Sequence, residues 1–79
     1  MTQRSQGNTG ISNVQYDLVS VMYHALQGAQ TNETYIRDAE QEGDQEAAQF
    51  FREVKQEDQK RAERGKQLFT QRASKVGSR

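Results

Sequence analysis

Ala39-Glu40-Gln41-Glu42-Gly43-Asp44-Gln45-Glu46-Ala47-Ala48 is the stretch that decides the fold. Apolar residues recur at helical spacing on both sides of it, so either one long helix runs through or two helices meet there. Gly43 favours two. Glycine adopts the left-handed conformation that ends a helix without steric cost, and aspartate is a preferred N-cap. Gly43 is therefore expected at the C′ position of one helix and Asp44 at the N-cap of the next. Helices joined by so tight a turn fold back on each other, and the expected fold class is an all-α, two-helix antiparallel hairpin.

Upstream, Val14, Leu18, Val21, Met22, Ala25, Ala29, Ile36 and Ala39 keep a helical phase. Ser12 and Gln15 have the spacing of a capping box, and Ile11 with Tyr16 that of a hydrophobic staple. The first helix is thus expected over about 12–42. Gly28 to Thr34 is poor in helix formers, but Tyr35, Ile36 and Ala39 stay in phase, so the helix should continue with room for a bend. Downstream, Ala47, Ala48, Phe50, Phe51, Val54, Ala62, Gly65, Leu68, Phe69, Ala73 and Val76 mark a second helix over about 45–73. Residues 1–10 are expected to form a disordered arm, 11–73 the hairpin, and 74–79 a frayed basic tail.

Composition narrows the class. Seventy-nine residues allow one small domain, and the absence of Cys excludes disulfides and thiol chemistry. With no Pro, no Trp and 28% charged residues, long helices are favoured over a turn-rich β fold. No window approaches the ~18 consecutive apolar residues of a membrane span. The first ten residues carry no apolar signal-peptide core. The expectation is a soluble, cytoplasmic protein without membrane contact.

The first helix carries a second stripe, Tyr16, Val19, Tyr23 and Leu26, leaving Asp17, Ser20, His24 and Gln27 as its polar lane. A helix this apolar needs cover on more than one side, and one partner helix supplies only one. The core of so small a chain rarely yields more than ~3–5 kcal/mol. A homodimer forming a four-helix bundle is the simplest remedy. The residues expected to divide between core and interface are Val14, Leu18, Val21, Met22, Tyr23, Leu26, Ile36, Phe50, Phe51, Val54, Leu68 and Phe69. Of the two adjacent phenylalanines, one ring is expected inside the hairpin and the other toward the partner.

Formal net charge is zero, with 11 Lys+Arg and 11 Asp+Glu, but the charges are segregated. Residues 33–58 hold nine acids against Arg37, Arg52 and Lys55, whereas residues 59–79 hold seven bases against Glu63 alone. This layout complements the helix macrodipole of the second helix. It also makes the basic end the expected contact region for a partner. Aromatic residues other than Phe69 do not interleave with the bases, so nucleic acid is not an expected partner.

His24 is the sole histidine, and without Cys it cannot assemble a nucleophilic relay. It is read as a solvated or interface residue. A carboxylate-bridged di-metal bundle needs Glu on two helices and Glu-x-x-His on the others. Ala25-Leu26-Gln27-Gly28, Tyr35 to Asp44, Ala47-Ala48-Gln49-Phe50-Phe51-Arg52-Glu53-Val54 and Asp58-Gln59-Lys60-Arg61-Ala62-Glu63 together resemble a helix pair of ferritin-like, rubrerythrin-like proteins. The resemblance covers roughly residues 14–70, one hairpin of that family's four-helix unit. It implies a ferritin-like bundle and, in an intact member, a di-metal site. Here Asp58-Gln59-Lys60-Arg61 stands where the family has Glu-x-x-His, and no carboxylate stands near Ala25. Arg61 places a fixed positive charge where a cation would bind. The metal centre is read as lost, with no cofactor; the alternative is a non-standard site using His24, Glu33, Glu57 or Asp58. Asp58 and Arg61 can pair with each other, and Asn32 is expected to join them across the hairpin in a buried polar layer. The sequence thus favours a non-enzymatic interaction or scaffold protein that acts as a homo-oligomer, over a metal-binding or oxidoreductase-type protein.

Overall fold

The computed structural model describes residues 12–77, with side-chain surroundings through Ala73. Two helices, α1 (Asn13–Gln41) and α2 (Gln45–Gly77), pack against each other, and no strand occurs among the described residues. Ser12 is extended (φ −71°, ψ 161°), and its Oγ accepts the Gln15 backbone N–H at 3.1 Å. Gln15 Oε1 in return accepts the Ser12 N–H at 3.2 Å, completing the capping box. The Ile11 half of the expected staple, like the 1–10 arm, lies outside the described residues. Ser12→Ala removes the acceptor and orphans a helix N–H, which costs about 1 kcal/mol. We expect its melting temperature to fall by roughly 4–8 °C, read by circular dichroism at 222 nm.

α1 runs unbroken through Gly28 to Thr34. Thr31 Oγ1 donates to the Gln27 carbonyl at 3.0 Å and Asn32 Nδ2 to the Gly28 carbonyl at 2.9 Å. These polar side chains fold onto the turn below instead of competing with it. The helix ends in a Schellman motif: Asp44 N–H donates to the Ala39 carbonyl at 2.8 Å and Gly43 N–H to that of Glu40 at 3.0 Å. Gly43 has φ +75°, the left-handed conformation expected of it. Asp44 then caps α2, its Oδ1 accepting the Ala47 N–H at 3.0 Å. α2 continues to Gly77, past the expected end at residue 73, so the backbone of residues 74–77 is helical rather than frayed. Nothing in Ser74-Lys75-Val76 breaks a helix. Ser78 and Arg79 lie outside the described residues.

The helices meet along a coiled-coil seam with alternating three- and four-residue steps. Gln15, Leu18, Met22, Ala25, Ala29, Asn32, Ile36 and Ala39 form it on α1; Ala48, Phe51, Lys55, Asp58, Ala62, Gly65 and Phe69 form it on α2. Its antiparallel register follows from Met22 against Gly65, Gly28 against Asp58 and Tyr35 against Phe51. The seam is built for close approach. A Cβ added at Gly28 would lie 2.7 Å from Asp58 Oδ2, and one at Gly65 would lie 2.8 Å from Met22 Cγ.

None of the residues expected to divide between core and interface is fully buried within the chain. The buried apolar side chains are Ala25, Ala29, Ala39, Ala48 and Ala62. Leu18, Met22, Ile36, Phe51, Val54, Leu68 and Phe69 are half-buried, and Val14, Val21, Tyr23, Leu26 and Phe50 are exposed within the chain. Alanine at the central seam positions draws the helices close together and leaves the larger side chains on the flanks. The expected three-residue polar layer is corrected. Asn32 is buried but is satisfied by its own helix, and Arg61 is exposed.

Candidate functional site

The seam divides the hairpin surface into two flanks. On one, α1 presents Val14, Val21, Gly28 and Tyr35 at seven-residue spacing, and α2 presents Ala47, Val54, Arg61 and Leu68 at the same spacing. The ring of Tyr35 packs on Phe51 (centroids 5.5 Å apart), and Phe51 packs on Phe50 at 5.7 Å. These contacts show that the two rows share one side. Below them, a cleft of about 280 Å³ is lined by Tyr35, Asp38, Ala39, Glu42, Asp44, Ala47 and Phe51.

The other flank is apolar on α1 only. Val19 and Leu26 lie beside Gln59, Lys66 and Glu63 of α2, around a cleft of about 410 Å³ that includes Leu26, Gln59, Glu63 and Lys66. Ion pairs tie the helices together there, Arg52 to Glu40 at 2.7 Å and Lys55 to Glu33 at 3.3 Å. Such solvated pairs add little stability, but they fix the flank as polar. Tyr16 and Tyr23 point farther out, and the Tyr23 hydroxyl accepts a bond from Gln27 Nε2 at 3.4 Å.

Across the whole hairpin, Val14, Tyr16, Val19, Val21, Tyr23, Leu26, Tyr35 and Phe50 are between 41 and 59% exposed. Among the described residues the buried apolar side chains are all alanine, so that is an unusual distribution of apolar surface. The stepwise recurrence of Ala25, Ala29, Asn32, Ile36 and Ala39 could have revealed it. Ranking residues by hydrophobicity alone instead gives the large side chains first claim on the core.

Among the residues proposed for chemistry, Asp58 and Arg61 do meet, Arg61 Nη1 donating to Asp58 Oδ1 at 2.6 Å. The Asp58 side chain is 15% exposed and that of Arg61 52%. The pair covers Gly28 and occupies the middle of the apolar flank. His24 is exposed. Its Nδ1 lies 2.9 Å from the Ser20 carbonyl, and its ring sits edge-on to Tyr23 at 5.3 Å. His24 and Glu57 belong to one side of the hairpin, whereas Glu33 belongs to the other and is engaged by Lys55. Among the described residues, no three Asp, Glu or His side chains converge to hold a metal ion. No helix among the described residues is long and apolar enough to cross a membrane.

Compared with known proteins, the chain matches no family model, no curated protein and no solved structure. The ferritin-like resemblance therefore rests on the residues quoted for it alone.

Proposed function

We propose that this chain is a non-enzymatic helical interaction protein that works as a homo-oligomer, a scaffold whose active element is an apolar flank. The observation that supports this is the inverted distribution of side chains. The hairpin closes on alanine while Val14, Val21, Tyr35 and Phe50 of this flank are at least 44% exposed. Fully covering a Val, Leu or Phe side chain contributes about 1.5–3 kcal/mol, so covering these half-exposed residues gives association an apolar driving force. In this reading the Asp58–Arg61 pair is a surface feature of the interaction flank, not the remnant of a working metal site.

Native mass spectrometry of untagged protein purified without chelator tests the proposal, because subunit number and bound metal appear in one spectrum. The expected spectrum is a metal-free dimer. A monomer across the micromolar range would overturn the homo-oligomer, and a stoichiometric Fe, Mn or Zn ion would overturn the non-enzymatic scaffold in favour of a metal-binding role.

A further inference from the structure

We propose that the occupant of the apolar flank is a second copy of this chain, docked head-to-tail, so that the turn of each hairpin lies beside the open end of the other. This rests on the homo-oligomeric reading above and adds the face and the orientation.

The face follows from which flank is apolar on both helices. Only the side bearing Val21 and Tyr35 of α1 with Val54 and Leu68 of α2 meets that condition; Phe50 extends it. The opposite side would bury Arg52, Glu63 and Lys66 together with the polar Gln59, whereas the row on the chosen side holds one charged side chain, Arg61, already paired with Asp58. Size is adequate. A hairpin face about 43 Å long and roughly 20 Å wide offers about 860 Å² per copy, and a standard stable interface needs about 800 Å² per partner.

The orientation follows from layers and charge. The register sets Gly28 against Asp58, with Arg61 three residues nearer the open end; Val21 and Leu68 lie one heptad toward the open end from Gly28 and Arg61, and Tyr35 and Val54 one heptad toward the turn. A two-fold axis through the Gly28 level, perpendicular to the helices, stacks the Val21/Leu68 layer on the partner's Tyr35/Val54 layer. Gly28 has no side chain to hold the copies apart there, and the two Arg61 side chains that meet near the axis are each neutralised by their own Asp58 at 2.6 Å. Val21 then faces the larger Tyr35, Leu68 faces Val54, and no Tyr35 has to meet its own copy. The same operation sets Glu57 opposite the partner's Arg64.

Charge selects this arrangement over the parallel one. Residues 33–58 carry a net charge of −6 (three bases, nine acids) and residues 59–79 a net +6 (seven bases, one acid). Head-to-tail docking lays each acidic half along a basic half. Docking with both turns at one end would set acid against acid and base against base, and like-charge juxtaposition is strongly disfavoured across an interface.

The chain has no cysteine, so Glu42→Cys introduces a single spin label beside the turn. Pulsed electron–electron double resonance should then give an inter-label distance of about 40 Å, twice the ~21 Å from the Gly28 level to residue 42. A distance below about 20 Å would overturn the orientation while leaving the homo-oligomer intact. A signal without dipolar modulation would overturn both. The face is tested in the same labelled background. Val21→Glu should abolish the dipolar signal with helicity retained, and Leu26→Glu on the opposite flank should leave it unchanged. The reverse result would move the interface to the other side.

Discussion

Replacing Ala48 with leucine lowers the melting temperature by roughly 10–20 °C, the expectation for overpacking worth about 2–3 kcal/mol in a domain of this size. Ala48 is 0% exposed, the most completely buried residue of the seam. It lies four residues beyond the Asp44 cap, and its own N–H donates to the Asp44 carbonyl at 3.0 Å. The Schellman motif and the Asp44 cap fix the separation of the helices at that point. Farther along the hairpin, a larger residue could be admitted by spreading the helices; beside a turn this short, spreading breaks the bonds of the turn itself. Alanine and leucine are both good helix formers, so intrinsic propensity contributes little to the difference. Gln67→Leu, at an exposed position on α2, is the matched control and is expected within about 0.5 kcal/mol of the parent. Thermal melts of the two variants decide the matter. If Ala48→Leu melts within about 2 °C of the parent, the alanine seam is not close-packed.

The parts of this fold that were legible in the sequence are those carried by local chemistry. Ser12, Gln15, Gly43 and Asp44 announce the two helix starts and the turn because each acts on backbone groups within a few residues of itself. The end of α2 was less legible. The basic tail suggests fraying after residue 73, yet the backbone is helical through Gly77. How the apolar residues divide between the seam and the surface was not legible. Periodicity identifies which residues share a face but not how closely the opposing backbone approaches, and that distance decides whether alanine or leucine occupies the centre. Gly28 and Gly65 let α2 approach α1 closely, while Val21, Leu26 and Phe50 lie off the seam and stay at the surface. The candidate site was half legible. Excess apolar residues on α1 pointed to a second contact, but the choice between flanks required knowing that Arg52, Gln59 and Lys66 line one side and Val54 and Leu68 the other. The expected role of Asn32 failed because its amide reaches its own helix, four residues back, more easily than it reaches α2.

Arg61→Leu destabilises the hairpin by about 1–2 kcal/mol, whereas Asp58→Leu added to it restores most of the loss. The asymmetry comes from exposure. Asp58 is largely covered, at 15% exposure beside Gly28, so removing Arg61 leaves a carboxylate with poor access to water and no ion-pair partner. Arg61 is 52% exposed and is hydrated without help when Asp58 is the residue removed. The half-solvated guanidinium is also why the estimate stays at the low end for a desolvated pair. Leucine has the same branching as aspartate and can occupy the space against Gly28 without a new cavity. In thermal melts the single Arg61→Leu variant should fall by roughly 4–12 °C and the double variant should return to within about 3 °C of the parent. A double variant that melts no higher than Arg61→Leu alone would show that the pair is not coupled. The double substitution has a second consequence at the level of assembly. Arg61 interrupts the row Val54, Arg61, Leu68 on the docking flank, and a polar break in an apolar row limits the registers that two copies can adopt. With leucine there the row is continuous, head-to-tail and parallel pairings become closer in energy, and native mass spectrometry should show a mixture of oligomers. A single dimer of unchanged mass and unchanged label distance would assign orientation wholly to the segregated charges of residues 33–58 and 59–79.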